Sequence, residues 1–236
     1  MAVGAIAGVS AFLWHGIELR TMILTSDGMT LSLGNVASFI GLQLALTALV
    51  ISFEPTLRGL ASGLLVLAAL AGLGTGHPAV SPTGAVMTWQ LQVHILISLF
   101  AYGLLTIGAI VAIYALVQDY RLHAGRLSSV NCLFAPLETN EKLLYGLAAG
   151  GFLGLLLAVF SGFLFVDNLF AQHLIHKTSL SLLALLLYGI LLAGRWLAGW
   201  RGKAAVYLYL WGFAILGLAY FGSRFVLEQI LGQSWG

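Results

Sequence analysis

The stretch WQLQVHILISLFAYGLLTIGAIVAIYALV, residues Trp89–Val117, decides the fold. It is 29 residues long and holds no Asp, Glu, Lys or Arg. A helix needs about 20 predominantly apolar residues to cross the hydrocarbon core of a bilayer, and this one has more than enough. Six further apolar stretches repeat the pattern: Val3–Leu24, Leu33–Phe53, the short Leu57–Leu73, Leu143–Val166, Thr178–Trp196 and Ala204–Phe221. Alternating β-type patterning is absent, which argues against a barrel. The chain therefore reads as all-α: a polytopic transmembrane helix bundle of about seven spans, forming a single integral membrane domain over residues 1–236. The tail Ser223–Gly236 is too short to span and reads as an interfacial helix. The N-terminus lacks a Lys/Arg-rich lead and a clear cleavage site, so the first stretch reads as a retained helix rather than a signal peptide.

Composition points the same way. Of 236 residues, 60% are apolar and 8% are charged, against about a quarter charged in a soluble domain. There is too little polar surface to coat a water-soluble protein, which excludes a cytosolic enzyme, a nucleic-acid binder and a disordered chain. Glycine is plentiful at 29 and proline scarce at 4, a balance that suits closely packed membrane helices. The single cysteine, Cys132, excludes a disulfide framework and a cysteine-built metal cluster within one chain.

Orientation follows from Lys and Arg. With the N-terminus in the cytoplasm, the inner side holds Arg58, Arg121, Arg126, Lys142, Arg195, Arg201 and Lys203, and the outer side holds Arg20, Lys177 and Arg224. The flipped arrangement reverses that asymmetry, so the sequence predicts a cytoplasmic N-terminus and an external C-terminus. The long loop Gln118–Glu141 is then cytoplasmic and partly helical, and Cys132 within it is a free thiol. The run Pro136–Lys142 launches the fifth helix, since proline and early acidic residues suit a helix start. Arg195, Trp196, Trp200, Arg201 and Lys203 read as a charge anchor with an aromatic belt in preference to a ligand site.

Five of the six histidines fall on the outer side: His15, His77, His94, His173 and His176; only His123 is cytoplasmic. His94 lies about 8 Å along the fourth helix from its outer end, at about 1.5 Å per residue. Gln90, His94, Ser98 and Tyr102 follow at spacing four and form one ridge, which must turn inward or toward a cavity. An ionisable group inside the membrane is a functional candidate; the alternative is a histidine that only bonds Ser or Tyr across helices. His173 and His176, three apart, could share one metal or stand in a wet loop. His15 sits mid-membrane beside Trp14, and His77 precedes Pro78 in an outer loop. No carboxylates cluster with these histidines, which argues against a di-iron site. An apolar cavity with one or two imidazoles suits haem best, with Trp89, Phe100, Tyr102, Phe163 and Phe165 as lining.

Four stretches carry a resemblance. They are Leu91-Gln92-Val93-His94 with Leu99-Phe100-Ala101-Tyr102; Pro136-Leu137-Glu138 with Glu141 and Leu143-Leu144; His176-Lys177-Thr178 running into Leu187-Tyr188 and Gly194-Arg195; and Gly199-Trp200-Arg201-Gly202-Lys203-Ala204-Ala205 followed by Tyr220-Phe221-Gly222. In this order they resemble the CcsA/HemX/YpjD-like family of cytochrome c assembly proteins, nearest its small YpjD-type members. They cover Trp89 to Phe221; the first three spans match in hydropathy alone.

The resemblance implies a bacterial inner-membrane protein that binds or handles haem in cytochrome c assembly. His94 takes the place of an external axial ligand to haem iron. His176 is the expected second ligand, with His173 and the deeper His15 as alternates, and Trp89 and Tyr102 complete the cofactor-binding set. The expected partners are the lipid bilayer and other membrane or cytochrome assembly proteins. The chain departs from haem-handling members in three places. Phe170–His176 replaces a Trp-rich platform, Ser223-Arg224-Phe225 stands where a second external histidine follows the last span, and Leu192-Ala193-Gly194 lacks a membrane histidine. These departures argue against a haem-joining enzyme. They leave a non-catalytic accessory or regulatory role as the alternative, with a small-solute transporter third.

Overall fold

Each of the apolar stretches folds as a helix. The computed structural model describes residues 2–25, 28–29, 33–73, 88–124, 135–165 and 175–219. Seven helices run through them: α1 Ala2–Ile23, α2 Leu33–Ile51, α3 Arg58–Gly72, α4 Trp89–His123, α5 Leu137–Phe165, α6 Ile175–Ala198 and α7 Lys203–Gly217. A 3-10 turn, Pro55–Leu57, leads into α3. A minimal antiparallel ribbon pairs β1 Leu24–Thr25 with β2 Gly28–Met29. The protein is a polytopic helical membrane bundle. Five described segments are long and apolar enough to cross a membrane: Gly34–Ile51, Pro55–Gly72, Trp89–His123, Leu137–Phe165 and Lys177–Ala198. Lys203–Gly217 is apolar but shorter.

The end of α4, the start of α5 and both ends of α6 reach further than hydropathy marks them, whereas α2 and α3 are shorter than their stretches. α4 continues through Gln118 to His123 and, at 35 residues, is about 52 Å long. A polar continuation can stay helical once its chemistry suits a helix end. His123 Nδ1 donates to the Asp119 carbonyl at 2.9 Å, and Arg121 and His123 occupy the last turn, where positive charge complements the helix dipole. At the other side of the loop α5 begins at Leu137, and the Pro136 carbonyl accepts from the amides of Thr139 and Asn140 at 2.9 and 3.1 Å. The expected interfacial helix Ser223–Gly236 lies outside the described residues, as do Cys132 and His77.

The chain packs as two compact units. One comprises Met1–Gln92 and Gln118–Asn140, the other Val93–Val117 and Glu141–Gly236. In the first, Leu44, Ala48, Leu60, Ala61 and Leu64 form the buried centre. Its polar lock is a chain of amides. Gln118 Nε2 donates to the Ala135 carbonyl at 2.7 Å, and Asn140 Nδ2 donates to Gln118 Oε1 at 2.8 Å. The end of α4 is thereby tied to the start of α5.

The second unit is built around two fully buried tyrosines. Tyr188 on α6 and Tyr209 on α7 meet edge to face, centroids 5.1 Å apart and planes at 76°. Their hydroxyls would be expensive to bury unpaired in an apolar medium, and both find carbonyls. Tyr188 donates to Tyr209 O at 3.4 Å, and Tyr209 donates to Leu105 O at 3.1 Å. The second bond requires α4 and α7 to approach closely, and Gly108 permits it: a Cβ there would overlap the Tyr209 hydroxyl. The turn between α6 and α7 runs through Gly199 at φ +64°, a conformation side chains disfavour. It lets the Trp200 amide bond the Gly194 carbonyl at 3.0 Å, satisfying a helix-end acceptor.

Candidate functional site

The ridge on α4 is half-buried along its length: Gln90, His94, Ser98 and Tyr102 are all of intermediate exposure. Ser98 Oγ donates back to the His94 carbonyl at 2.8 Å, so its polarity is met within the helix. The His94 side chain turns toward α5. Its Nδ1 lies 2.9 Å from Oγ of Ser161. Ser161 is 7% exposed, and its hydroxyl donates to the Ala158 carbonyl at 3.0 Å. Lys177, in the first turn of α6, is half-buried. α4 and α5 of the second unit thus bring an imidazole and a buried hydroxyl together.

The other expected ligands stand as follows. His176 belongs to the first turn of α6, one residue before Lys177; its side chain is outside the described residues, and so is the whole of His173. His15 is in the other compact unit. Its Nε2 lies 2.8 Å from the fully buried Ser38 Oγ on α2, and Gly72 of α3 faces the same ring. Both membrane histidines with described side chains are therefore bonded to a serine across helices. Trp89 opens α4 and is 66% exposed. The Tyr102 hydroxyl is buried. Phe100, Phe163 and Phe165 all present exposed faces.

Ser161 and Ser38 had no sequence signal tying them to their histidines. A lone polar residue in an apolar helix was the only hint. A second cluster was also out of reach. Glu141 on α5 accepts from Arg195 Nη1 at 3.0 Å and from Arg201 Nε at 3.1 Å. Arg195 also stacks over the Tyr145 ring, 4.8 Å from its centroid, and Tyr145 OH donates to the Trp200 carbonyl at 2.8 Å. Two of the three positive charges expected as a simple membrane anchor, Arg195 and Arg201, are thus organised around one carboxylate.

Among the described residues, no three His, Cys, Asp or Glu side chains converge on a point. Haem, whose porphyrin supplies the equatorial nitrogens, asks the protein for one or two axial ligands. A half-buried imidazole fixed through one ring nitrogen fits that requirement.

Residues 3–231 match the family described as cytochrome C assembly protein. The chain is 34% identical over 229 residues to inner membrane protein YpjD of Escherichia coli strain K12, covering 95% of this chain and 86% of that protein. The same protein from Escherichia coli O157:H7 gives the same values. An uncharacterized 28.8 kDa protein in a nifR3-like 5' region of Azospirillum brasilense is 30% identical over 171 residues, 72% of this chain and 63% of its own length. No solved structure matches significantly. The family match spans nearly the whole chain, and the YpjD likeness extends across the amino-terminal helices that motifs alone left to hydropathy; this membrane protein belongs to the cytochrome c assembly protein family.

Proposed function

We propose that the protein is an inner-membrane haem-binding or haem-handling factor of cytochrome c assembly, with His94 as an axial ligand. The observation that carries this reading is the His94 imidazole itself, held half-buried within a membrane helix by a hydrogen bond to Ser161. An intramembrane ionisable group is rare and costly, and usually functional. Family membership supports haem as the cofactor, and the YpjD name supports the inner membrane. Bound haem would supply an iron centre whose electronic state depends on its axial ligands. The chain's own part is to hold that ligand in place and to shield it from water.

His176 is the proposed second ligand: it stands in the first turn of α6, on the outer side that the Lys and Arg distribution assigns to that helix end. His173 is the alternate. The proposed topology keeps the N-terminus in the cytoplasm and the C-terminus in the periplasm, from the distribution of Lys and Arg. Other membrane proteins of cytochrome assembly are the proposed partners. The visible spectrum of detergent-purified protein tests the reading. A Soret band in the wild type that is lost or altered in His94→Ala is the expected result. Protein that stays colourless with ample haem would replace it with the second reading, a non-catalytic accessory protein. That reading draws support from the missing Trp-rich stretch at Phe170–His176.

A further inference from the structure

We infer that Ser161 is a positioning residue: it holds His94 as the tautomer protonated on Nδ1, so that Nε2 carries the lone pair available to a metal. The argument counts protons. A serine hydroxyl has one hydrogen to donate and lone pairs to accept with. The Ser161 Oγ lies 3.0 Å from the Ala158 carbonyl, which can only accept. The hydroxyl donates its proton to that carbonyl. The same oxygen, 2.9 Å from His94 Nδ1, is then left to accept; this pairing places the ring hydrogen on Nδ1, against the alternative in which the hydroxyl turns to Nδ1 and Nε2 carries the hydrogen. A neutral imidazole has one N–H, which leaves Nε2 bare.

The nitrogen left bare is the useful one. Nε2 is the outer atom of the ring, clear of the helix backbone, whereas Nδ1 sits beside its own main chain. A metal-bound histidine normally donates its other N–H to a fixed acceptor, which sets the ring and raises its basicity. Ser161 supplies that acceptor before any metal arrives. His15 shows the opposite arrangement: its Nε2 is the nitrogen engaged, by Ser38 Oγ at 2.8 Å.

The ligand role rests on the haem reading above; the tautomer does not, and the experiment separates them. Full-length protein labelled with nitrogen-15 histidine is studied in detergent without haem, with His94→Ala used for assignment. The expected spectrum shows His94 with a protonated Nδ1 and an unprotonated Nε2. Ser161→Ala should let the ring populate both tautomers, and Ser161→Thr, which keeps the hydroxyl, should restore the wild-type pattern. A wild-type ring protonated on Nε2, or a Ser161→Ala ring unchanged from wild type, overturns the inference. If Ser161→Ala fails to fold, the wild-type tautomer still decides. In protein loaded with haem, Ser161→Ala should weaken haem retention by about 10–100-fold and raise the midpoint potential, since a less basic ligand favours ferrous iron. Colourless protein with the Nδ1–H tautomer removes the haem reading but upholds the action of Ser161.

Discussion

The Tyr209 hydroxyl reaches the Leu105 carbonyl at 3.1 Å through the gap that Gly108 leaves open. Gly108→Ala should therefore destabilise the protein by about 1–3 kcal/mol, the usual cost of overpacking, despite the better helix propensity of alanine. Gly146→Ala, whose Cβ would meet nothing within 4 Å, is the control and should stabilise by up to about 1 kcal/mol. Tyr209→Phe should relieve part of the Gly108→Ala penalty, so the pair should be less than additive. Thermal unfolding in detergent measures all four. Strict additivity would mean the two residues do not share the space.

The carboxylate of Glu141 joins two arginines of unequal exposure. Arg195 is 25% exposed at its side chain and Arg201 is 57%. Glu141→Gln should cost about 1–3 kcal/mol, as loss of a partly buried hydrogen-bonded charge. Arg195→Ala should cost a similar amount, because Tyr145 stacking is lost as well. Arg201→Ala should cost about 0–1 kcal/mol. Unfolding temperatures in low and high salt give the ranking, and a larger loss for Arg201 than for Arg195 would contradict it.

Gln118 bridges Ala135 and Asn140 with both ends of one amide. Gln118→Ala should cost about 1–3 kcal/mol by leaving buried partners unmet. The loss should be local. Hydrogen exchange at residues 135–141 should quicken while the Tyr188–Tyr209 region keeps its protection. Uniform acceleration across both regions would show the lock to be part of one global cooperative unit.

Single-histidine variants identify the second ligand. His176→Ala should change the Soret position and spin state as His94→Ala does, and His123→Ala should leave both unchanged. His123 is exposed and bonds its own helix. A His176→Ala spectrum identical to wild type, with a change in His173→Ala, would transfer the role to His173.

Reporter fusions test the proposed topology. A C-terminal fusion should be active with a periplasmic reporter and silent with a cytoplasmic one. Cys132, predicted to lie in the cytoplasmic loop, should resist a membrane-impermeant thiol reagent applied to intact cells.

The helices were legible because membrane insertion imposes a simple constraint: an apolar run of sufficient length, such as Trp89–Val117, has few alternatives to a helix. Their polar ends were less so, since nothing in hydropathy says that Asp119, Arg121 and His123 continue α4. The inward turn of the Gln90–Tyr102 ridge could be read from spacing four. Its partner could not. Ser161 is 67 residues from His94, and one serine in an apolar helix looks like any other. The sequence marks Glu141 only as a helix-start acid; that it gathers Arg195 and Arg201, 54 and 60 residues away, depends on how three helix ends meet.

The hold on Leu105 reaches beyond stability. Eleven positions separate His94 from Leu105, about three turns at 3.6 residues per turn, so both lie on nearly the same side of α4 about 16 Å apart. A long helix among apolar neighbours can roll about its axis with little change in buried area. A hydrogen bond to one of its carbonyls, wedged at a glycine, removes that freedom. Tyr209 therefore opposes rotation of α4 about its axis at Leu105, about three turns along the helix from His94.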